Sequence, residues 1–355
     1  MSENAIRSGD TVLVTGGAGY VGSHLVRMLL KQGYRVRVLE TFLYGDAGLV
    51  GCRADPRLEI VSGDICNVRD MIGVAKGVKV VVALAALVGD AACELDHDET
   101  IAINVESTKL LCNVVRLTPS IERVVFASSC SVYGATEGLV LNEGSKLNPV
   151  SFYARSRIVS EQILARELAD RSVVTLRLGT VFGASPRMRL DLMVNTMTHR
   201  AVTASRITVS GGQAWRPHVH VKDVAQAFLM AAEAPPSRVT GEVFNVGSDQ
   251  NNYTISETAV VVAGEIPGTK IEYLDSVEDL RSYRVSFDKI RHVLGFVARH
   301  RIEDGVREVR ELLQSGSIDA DAPIFSNLKH LRESGFGGAE RRETARVVRA
   351  RVAAS

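Results

Sequence analysis

The sequence predicts an α/β fold in which a doubly wound parallel sheet is joined to a smaller, mixed α/β lobe. From residue 11 to residue 178, short runs rich in β-branched residues alternate with longer segments of helical periodicity. Such alternation is typical of parallel strands covered by helices on both faces. The longest apolar stretch, residues 78–88 with Lys79 as its one charged residue, is about half a membrane span long and fits a strand buried on both faces. After Gly183, prolines interrupt the pattern and short strands mix with helices, which indicates the smaller lobe.

The periodicity also places each element along the chain. The predicted strands of the sheet cover residues 11–15, 35–39, 58–61, 78–85, 123–128 and 173–178, and the predicted helices cover residues 20–32, 68–76, 99–117 and 152–170. In the second lobe we expect strands at 207–209, 243–246 and 271–273, and a helix at 224–232 with Asp223 as its N-cap. The predicted units are a first domain at 1–183, a lobe at 184–334 that returns some segments to the first domain, and a charged tail at 335–355 with little to bury.

Composition and charge argue against several classes of function. The chain has 355 residues, 46% of them apolar, so it can build a full core. Its net charge of +1 gives no electrostatic basis for binding nucleic acid or an anionic membrane. Residues 1–10 lack the core of a signal peptide, and the five scattered cysteines form no Cys-x-x-Cys pair, so we expect a cytoplasmic protein with reduced thiols. His218 and His220 lack a third ligand, so no metal site is expected.

A glycine-rich turn directly follows the first predicted strand and opens the first predicted helix. Its glycines Gly16, Gly19 and Gly22 are spaced Gly-x-x-Gly-x-x-Gly, with Tyr20 and Val21 inside the turn. Glycines at this position let the backbone approach a pyrophosphate, which then lies at the N-terminus of the helix. We therefore predict a Rossmann-type dinucleotide-binding domain.

Two acidic residues lie at the ends of the next strands. Glu40, about twenty residues after the glycines, can accept hydrogen bonds from both adenosine ribose hydroxyls and would repel a 2′-phosphate, which favours NAD over NADP. The alternative is a surface glutamate at a strand end. Asp64, with Ile65 beside it, can contact the adenine, and a turn-forming aspartate is an equally good interpretation.

A tyrosine and an arginine follow at helical spacing. Tyr153 and Arg157 are four residues apart, which places both side chains on one face of a helix. A free tyrosine has a pKa of about 10 and is a poor base at neutral pH. A fixed cation one turn away lowers that pKa by favouring the phenolate.

These motifs make the chain similar to the extended short-chain dehydrogenase/reductases that act on nucleotide-diphosphate sugars. The resemblance covers residues 10–315 and departs from the family where Arg157 stands at the usual lysine. Besides the glycines, it rests on the segments 83–86, 104–108, 126–134, 176–183, 215–225 and 244–247.

The resemblance implies roles for individual residues. Ser129 matches the catalytic serine that holds the reacting hydroxyl, with Ser128 as the fallback, and Tyr153 matches the general base. Arg157 would stabilise the phenolate and contact the nicotinamide ribose. Asn104 matches an asparagine of the active-site helix, whose alternative role is only to hold a helix kink. The resemblance also places Leu84, Ala85 and Ala86 along the cofactor and counts Asn104 and Tyr153 among its contacts.

The resemblance also implies a substrate site and a dimer. Arg216 would bind the diphosphate of the sugar nucleotide, and Thr180, Asp191 and Arg281 are further substrate-binding candidates. Cys130 is a candidate acid or base, with a buried apolar cysteine as the alternative. A homodimer would form through a four-helix bundle built from the helices at 99–117 and 152–170, and its face would be supplied by Leu110, Leu111, Val114, Val159, Ile163 and Leu164 unless an intrachain core uses them.

The expected activity is that of an NAD-dependent nucleotide-sugar epimerase that transiently oxidises a sugar hydroxyl, in this family usually at C4. A reductase of 4-keto sugar nucleotides is the first alternative. A 4,6-dehydratase is disfavoured because Cys130 and Ser131 replace the Asp-Glu pair of that branch. Loss of the lysine leaves a noncatalytic NAD-binding sensor as a third possibility.

Overall fold

The computed structural model describes residues 6–274 and 281–336, so the predicted tail lies outside the described residues from residue 337 onward. The strands are β1 (Thr11–Thr15), β2 (Arg35–Glu40), β3 (Leu58–Ser62), β4 (Val78–Ala83), β5 (Arg123–Ser129), β6 (Ala135–Leu141), β7 (Ser172–Leu178), β8 (Thr180–Phe182), β9 (Arg206–Val209), β10 (Trp215–His220), β11 (Val243–Val246), β12 (Asn252–Thr254), β13 (Lys270–Tyr273) and β14 (Ser282–Val285).

The helices lie between these strands and after them. They are α1 (Gly22–Lys31), α2 (Val68–Ala75), α3 (Asp90–Cys93), α4 (His97–Ile101), α5 (Ser107–Leu117), α6 (Phe152–Glu167), α7 (Met193–Ala204), α8 (Val221–Glu233), α9 (Pro236–Val239), α10 (Ile255–Glu265), α11 (Asp288–Leu294), α12 (Ile302–Gln314) and α13 (Asn327–Glu333).

A seven-stranded sheet with the order β11-β7-β5-β4-β1-β2-β3 forms the centre of the molecule, and every pairing in it is parallel. Side chains alternate between its faces, as the pleat requires. Val12 and Val14 of β1 lie in a core shared with α1 and α8, whereas Leu13 lies in a core shared with α2, α5 and α6. The predicted doubly wound α/β fold is confirmed.

The smaller lobe has its own sheets and its own core. β10 pairs with β12 antiparallel and with β8 parallel, and β9 pairs with β13. Helices α7, α10 and α12 cover these strands with a separate apolar cluster that includes Phe182, Val194 and Val306. Two elements from this half of the chain belong to the central layers instead: β11 extends the main sheet beside β7, and α8 packs beside α1.

The predicted helix at 99–117 is interrupted. Residues Ala102–Glu106 form a π-helical turn between α4 and α5. At its centre, the backbone carbonyl of Asn104 accepts hydrogen bonds from the Thr108 hydroxyl (2.9 Å) and the Ser160 hydroxyl (2.7 Å). Side-chain hydroxyls that compete for a helix carbonyl distort the regular ladder, and hydrophobic periodicity does not show this.

The predicted N-cap of α8 was wrong. The helix begins at Val221 and is capped by His220, whose Nδ1 accepts the backbone N–H of Lys222 at 3.2 Å. Asp223 lies in the first turn, where its carboxylate accepts the backbone N–H groups of Arg299 (3.1 Å) and His300 (3.0 Å). The side chain therefore ties α8 to the segment before α12.

The helices predicted to form a dimer interface are largely committed to the chain's own core. Leu111, Val114, Ile163 and Leu164 are buried between α5, α6 and the sheet. Of the six residues named for that face, Val159 is 41% exposed and Leu110 is partly buried. Within the ranges that the structure describes, no helix is long and apolar enough to cross a membrane.

Candidate active site

The carboxyl ends of the central strands open into one large cleft. β1 has β2 on one side and β4 on the other, so the strand order reverses at β1, and ligands of doubly wound sheets bind at such a point. The cleft has a volume of about 1710 Å³. Single small-molecule sites are roughly 300–1,000 Å³. The cleft can therefore hold a dinucleotide and a second ligand together.

The glycine turn forms the floor of this cleft after β1. Gly16 has a φ of +76°, and a Cβ placed on it would lie 2.9 Å from the backbone nitrogen of Ala85. A Cβ on Gly22 would lie 2.2 Å from the carbonyl oxygen of Gly16. Only glycine fits at either position. All the cofactor residues predicted from this turn, Gly16, Gly19, Tyr20, Val21 and Gly22, line the cleft.

Glu40 lies at the end of β2 and also lines the cleft. Its carboxylate accepts the backbone N–H groups of Ala18 (3.1 Å), Thr41 (3.1 Å) and Phe42 (3.3 Å). Burial raises the pKa of this carboxyl, and the three N–H groups and the charge of Arg187 act in the opposite direction. Glu40 thus holds the glycine turn against the end of β2 while it faces the groove.

Five more of the predicted cofactor positions line the groove at the ends of β3 and β4. Asp64 and Ile65 follow β3, and Oδ1 of Asp64 accepts the backbone N–H of Cys66 at 2.8 Å. This is the aspartate turn that the sequence left open as an alternative. After β4, the predicted residues Leu84, Ala85 and Ala86 line the cleft together.

Asn104 does not line this cleft and is 1% exposed. Its side chain pairs with the backbone of Leu87 through Oδ1 (2.9 Å) and Nδ2 (3.0 Å), and Nδ2 also donates to Ser156 Oγ at 3.2 Å. The amide therefore connects the loop after β4 to the first turns of α6. This arrangement fits the alternative role of holding a helix kink, because both polar atoms of the side chain are hydrogen-bonded to protein groups.

Ser129 ends β5 at the edge of the cleft. Its hydroxyl oxygen accepts the backbone N–H of Ser131 at 3.2 Å, which leaves the hydroxyl proton free to be donated elsewhere. Ser128, the fallback, is 1% exposed and donates its hydroxyl proton to the carboxylate of Glu161. Ser129 is therefore the better candidate for contact with a ligand.

Tyr153 and Arg157 come from the start of α6. The helix begins after its N-cap Ser151, whose Oγ accepts the backbone N–H of Ala154 at 3.2 Å, and the spacing of four residues places both side chains on one face. The guanidinium carbon of Arg157 lies 5.6 Å from the ring centroid of Tyr153, and Nη1 donates to the carbonyl of Ala127 at 3.4 Å. Both side chains line the cleft.

Arg157 acts on the pKa of Tyr153 in the expected downward direction, but burial has the larger effect. Burial raises the pKa of Tyr153, and the nearby charge of Arg157 opposes the shift without reversing it. Burial likewise lowers the pKa of Arg157 itself. Desolvation penalises both charged forms, so at neutral pH the tyrosine is a neutral phenol beside a cation.

Cys130 lies outside the cleft. Its side chain is fully buried, and its thiol donates to the carbonyl of Arg177 at 3.3 Å. Burial raises the pKa of this thiol far above its usual range. The geometry supports the alternative interpretation, a buried apolar cysteine, and not an acid or base that reaches a ligand.

The predicted substrate residues lie on the side of the cleft formed by the second lobe. Thr180, Asp191, Arg216 and Arg281 all line it. Arg216 donates to the carbonyls of Trp215 and Arg281, and its guanidinium lies 5.5 Å from the ring centroid of Tyr283. Arg281 forms an ion pair with Asp90 at 2.5 Å.

Sequence reasoning missed two arginines in the same wall. Arg187 and Arg189 line the cleft, and Arg189 forms a partly buried ion pair with Asp191 at 2.9 Å. The carboxylate of Asp191 also accepts the backbone N–H of Asn327 at 2.8 Å, so it is occupied by protein groups. A signal existed in the alternating Arg-Met-Arg-Leu-Asp run, where charged residues interrupt apolar ones after β8.

The segment that carries these arginines is fixed to the start of α1. The Tyr20 hydroxyl donates to the carbonyl of Gly183 at 2.5 Å, and the Ser185 hydroxyl donates to the carbonyl of Tyr20 at 2.8 Å. Ser23 and Ser185 are also hydrogen-bonded through their hydroxyls at 2.9 Å. These bonds attach the start of the second lobe to the glycine turn.

The residues present fit a dinucleotide. The glycine turn has no room for a Cβ, Glu40 stands at the ribose position, and among the described residues nothing accepts a hydrogen bond from the buried Nε of Arg157. In the same described ranges, no group of three His, Cys, Asp or Glu side chains lies close enough to hold a metal. His218 and His220 instead bond to Thr258 (3.1 Å) and Glu308 (3.0 Å).

Comparison with known proteins agrees with this site. The UDP-glucose 4-epimerase of Lactobacillus helveticus is 30% identical over 83% of this chain and 94% of its own length. A dTDP-glucose 4,6-dehydratase of Actinoplanes sp. is 28% identical over 84% of this chain and 95% of its own. The solved structure of MoeE5 in complex with UDP-glucuronic acid and NAD superimposes with a TM-score of 0.74 at 29% identity, covering 87% of this chain and all of that one.

The family model described as the NAD dependent epimerase/dehydratase family matches residues 12–247, which include the glycine turn, the β5 serines and the Tyr153–Arg157 pair. The resemblance drawn from the sequence and the assignment of NAD as the cofactor are thereby confirmed. This chain belongs to the NAD-dependent epimerase/dehydratase family.

Proposed function

We propose that the protein is a nucleotide-sugar epimerase that transiently oxidises a sugar hydroxyl, at C4 of the hexose, and then reduces the resulting ketone. The observation that carries this proposal is that Ser129, Tyr153 and Arg157 line the same cleft as the glycine turn and Glu40. A hydroxyl-oxidising centre and a dinucleotide groove are thus continuous, within a volume that suits two ligands.

The proton chemistry belongs to Tyr153 and Ser129. When bound, NAD supplies a reversible acceptor for the hydride on the sugar carbon. Tyr153 would take the hydroxyl proton, and Ser129 would hold the oxygen by donating a hydrogen bond. Arg157 would stabilise the phenolate during this step, and its buried Nε can donate to the nicotinamide ribose. Reduction reverses the proton transfer.

Epimerisation is favoured over 4,6-dehydration by the residues after Ser129. Dehydration needs an acid and a base beside the ketone. Cys130 points into the core, and Ser131 offers a hydroxyl and no carboxylate. The two positions after Ser129 therefore do not supply the acid and the base that water elimination requires.

Retention of the cofactor also fits an epimerase, which must keep the dinucleotide through both half-reactions. The contacts of Tyr20 and Ser23 with the segment Gly183–Ser185 bridge the glycine turn from the second lobe. We expect these bonds to slow dissociation of the dinucleotide, because they join the two lobes beside the glycine turn.

A reductase of 4-keto sugar nucleotides is the second candidate, and one observation favours it. Burial raises the pKa of Tyr153, so the side chain is a neutral phenol that can donate a proton to a ketone. Reduction would consume one NAD(P)H for each product. A noncatalytic sensor would bind NAD and convert no sugar nucleotide.

Two assays on the purified protein separate the three candidates. Purified protein is denatured and its bound cofactor identified by mass spectrometry, and the native protein is incubated with UDP-glucose, UDP-glucuronic acid and dTDP-glucose without added cofactor. For the epimerase we expect the C4 epimer of at least one substrate by NMR with no net change in absorbance at the wavelength of NADH. Stoichiometric consumption of added NAD(P)H with a 4-keto substrate would instead identify the reductase.

We also propose that the protein is a homodimer through α5 and α6, using the side chains that remain on the outside. These include Lys109, Asn113, Val159 and Gln162, a more polar face than the sequence predicted. Light scattering coupled to gel filtration would give twice the chain mass of 38.4 kDa, and a Val159→Arg variant should shift toward the monomer. A wild-type protein that runs at the chain mass contradicts the dimer.

A further inference from the structure

Arg187 lies in the wall of the cleft and is a buried cation with one unused hydrogen-bond donor. It is 5% exposed, and its Nη2 donates to Oδ1 of Asn327 at 2.7 Å. Its guanidinium carbon lies 4.3 Å from the ring centroid of Tyr44. Within the described part of the chain, Nε of Arg187 has no hydrogen-bond partner. A buried donor of this kind needs an acceptor, and the side chain already faces a ligand cleft.

Arg187 forms no ion pair within the described ranges, and the carboxylates of Asp191 and Glu40 attract its charge only from farther away. Its neighbour Arg189 is paired with Asp191, but no carboxylate of the described residues forms an ion pair with Arg187. Burial lowers the pKa of Arg187 to about 10, so it still carries its charge at neutral pH. Buried charges without a partner are costly, and an anionic ligand would remove that cost.

The position of Arg187 points to the dinucleotide half of the cleft. Its segment is anchored two residues earlier, where Ser185 bonds to Tyr20 of the glycine turn at 2.8 Å. Burial raises the pKa of Glu40 at the end of β2, and the charge of Arg187 opposes that rise, so the two side chains are close enough to interact. Arg187 therefore lies near both the glycine turn, where a diphosphate rests, and the ribose position. The arginines predicted for the sugar nucleotide, Arg216 and Arg281, lie elsewhere in the wall, around Tyr283 and Asp90.

We propose that Arg187 binds the diphosphate of the dinucleotide from the second lobe, opposite the glycine turn, with Asn327 as the residue that positions its guanidinium. A planar guanidinium binds phosphate oxygens in a fork, which an ammonium group does not reproduce. Asn327 begins the C-terminal helix α13, beyond residue 315, where the resemblance drawn from the sequence ends. The inference rests on NAD as the cofactor and not on epimerisation.

The test is a calorimetric titration of the full-length protein, freed of bound nucleotide, with ADP-ribose and separately with UDP. Arg187→Gln should weaken ADP-ribose binding at least about tenfold and leave UDP binding within about twofold, because it removes a charge-assisted hydrogen bond from one diphosphate only. Asn327→Ala should weaken ADP-ribose binding by about threefold, again without changing UDP binding. Arg53→Gln is the matched control, since Arg53 is paired with Asp46 on the surface.

Two outcomes overturn the inference. One is ADP-ribose affinity in Arg187→Gln equal to that of the wild type, and the other is a selective loss of UDP binding, which would assign Arg187 to the sugar nucleotide. If Arg187→Gln fails to fold in a thermal scan, Arg187→Lys decides, because it keeps the charge and loses the fork; unchanged ADP-ribose affinity there also overturns the inference. Wild-type protein that binds ADP-ribose but epimerises nothing would contradict the proposed function alone.

Discussion

The guanidinium carbon of Arg157 lies 5.6 Å from the ring centroid of Tyr153, one turn further along α6. The two side chains have opposite preferences in this setting. Burial raises the pKa of Tyr153 and lowers the pKa of Arg157, so each group is pushed toward its neutral form, while their mutual attraction favours the charged forms. Arg157 thus limits the rise in the pKa of Tyr153 without cancelling it.

Replacing Arg157 with lysine should preserve or raise turnover. Lysine restores the residue usual in the family and presents a compact charge of the same sign on the same face of α6. Steady-state kinetics with the substrate identified by the assay above would measure kcat for the variant. The matched variant Arg157→Met, which keeps the bulk and removes the charge, should lose about tenfold or more. Complete loss of activity in Arg157→Lys would show that the role of this residue is misassigned.

The pH dependence of oxidation should depend on Arg157. If Tyr153 acts as the base, its phenolate is the active form, so the rate of oxidation rises with pH toward a tyrosine pKa that burial has raised. Removing the cation leaves burial unopposed and raises this pKa further, so Arg157→Met should move the rise to higher pH. Single-turnover rates across pH 6 to about 10 would show the shift. Superimposable profiles for the two proteins would argue that a different group takes the proton.

Tyr153→Phe should lower turnover by about 10²–10⁴-fold while the protein still folds and binds ADP-ribose. The ring remains and only the hydroxyl is lost, so packing against the cluster of Leu87, Cys93 and Leu331 is unchanged. The kinetic loss should appear in kcat more than in KM. Ser129→Ala is expected to lose less, because it removes a hydrogen-bond donor and not the base. An active Tyr153→Phe variant would contradict the assignment of the base.

Much of the fold could be predicted because local patterns determine it. Strand β1, the glycine turn and the start of α1 follow from a β-branched run, three glycines and an apolar helical face. The residues Ser129, Tyr153 and Thr180 were found because they stand in motifs that follow strands or open a helix. Parallel strands bring their carboxyl ends to one edge, so residues distant in sequence meet in one cleft.

The rest depends on contacts between distant segments. The π-helical turn at Asn104 needs hydroxyls from Thr108 and from Ser160 of α6. Arg187 reaches the dinucleotide groove only because Ser185 is bonded to Tyr20 and because Asn327 arrives from the C-terminal helix. No spacing rule encodes such meetings. Four of the six residues predicted for the dimer face, Leu111, Val114, Ile163 and Leu164, are buried in the chain's own core instead. Helical periodicity does not distinguish a surface that covers the chain's own sheet from one that covers a partner.

Cys130→Ala should keep full activity. The thiol lies in the core and its pKa is raised by burial, so it neither reaches the cleft nor supplies a thiolate. We expect kcat/KM within about twofold of the wild type for every substrate that the protein converts. The loss of packing should lower the free energy of unfolding by about 1 kcal/mol, measured with urea. A variant that folds normally but converts no substrate would restore Cys130 as an acid or base.

A buried ion pair between Arg177 and Glu161 helps to hold Ser129 in place. β5 and β7 lie beside α6, and a buried ion pair connects these elements: Arg177 of β7 donates to Glu161 of α6 through Nε (3.0 Å) and Nη2 (2.7 Å), and Ser128 donates to the same carboxylate. Replacing one partner leaves the other charge buried and unpaired. Glu161→Gln should therefore lower the free energy of unfolding by about 3–5 kcal/mol, measured with urea. Asp46→Asn, which removes the same kind of carboxylate from an exposed pair with Arg53, should change it by less than about 1 kcal/mol. Equal effects in the two variants would mean that the buried pair is not what joins α6 to β5 and β7. In that case the alignment of Tyr153 with Ser129 would have to come from Asn104 and its bonds to Leu87 and Ser156.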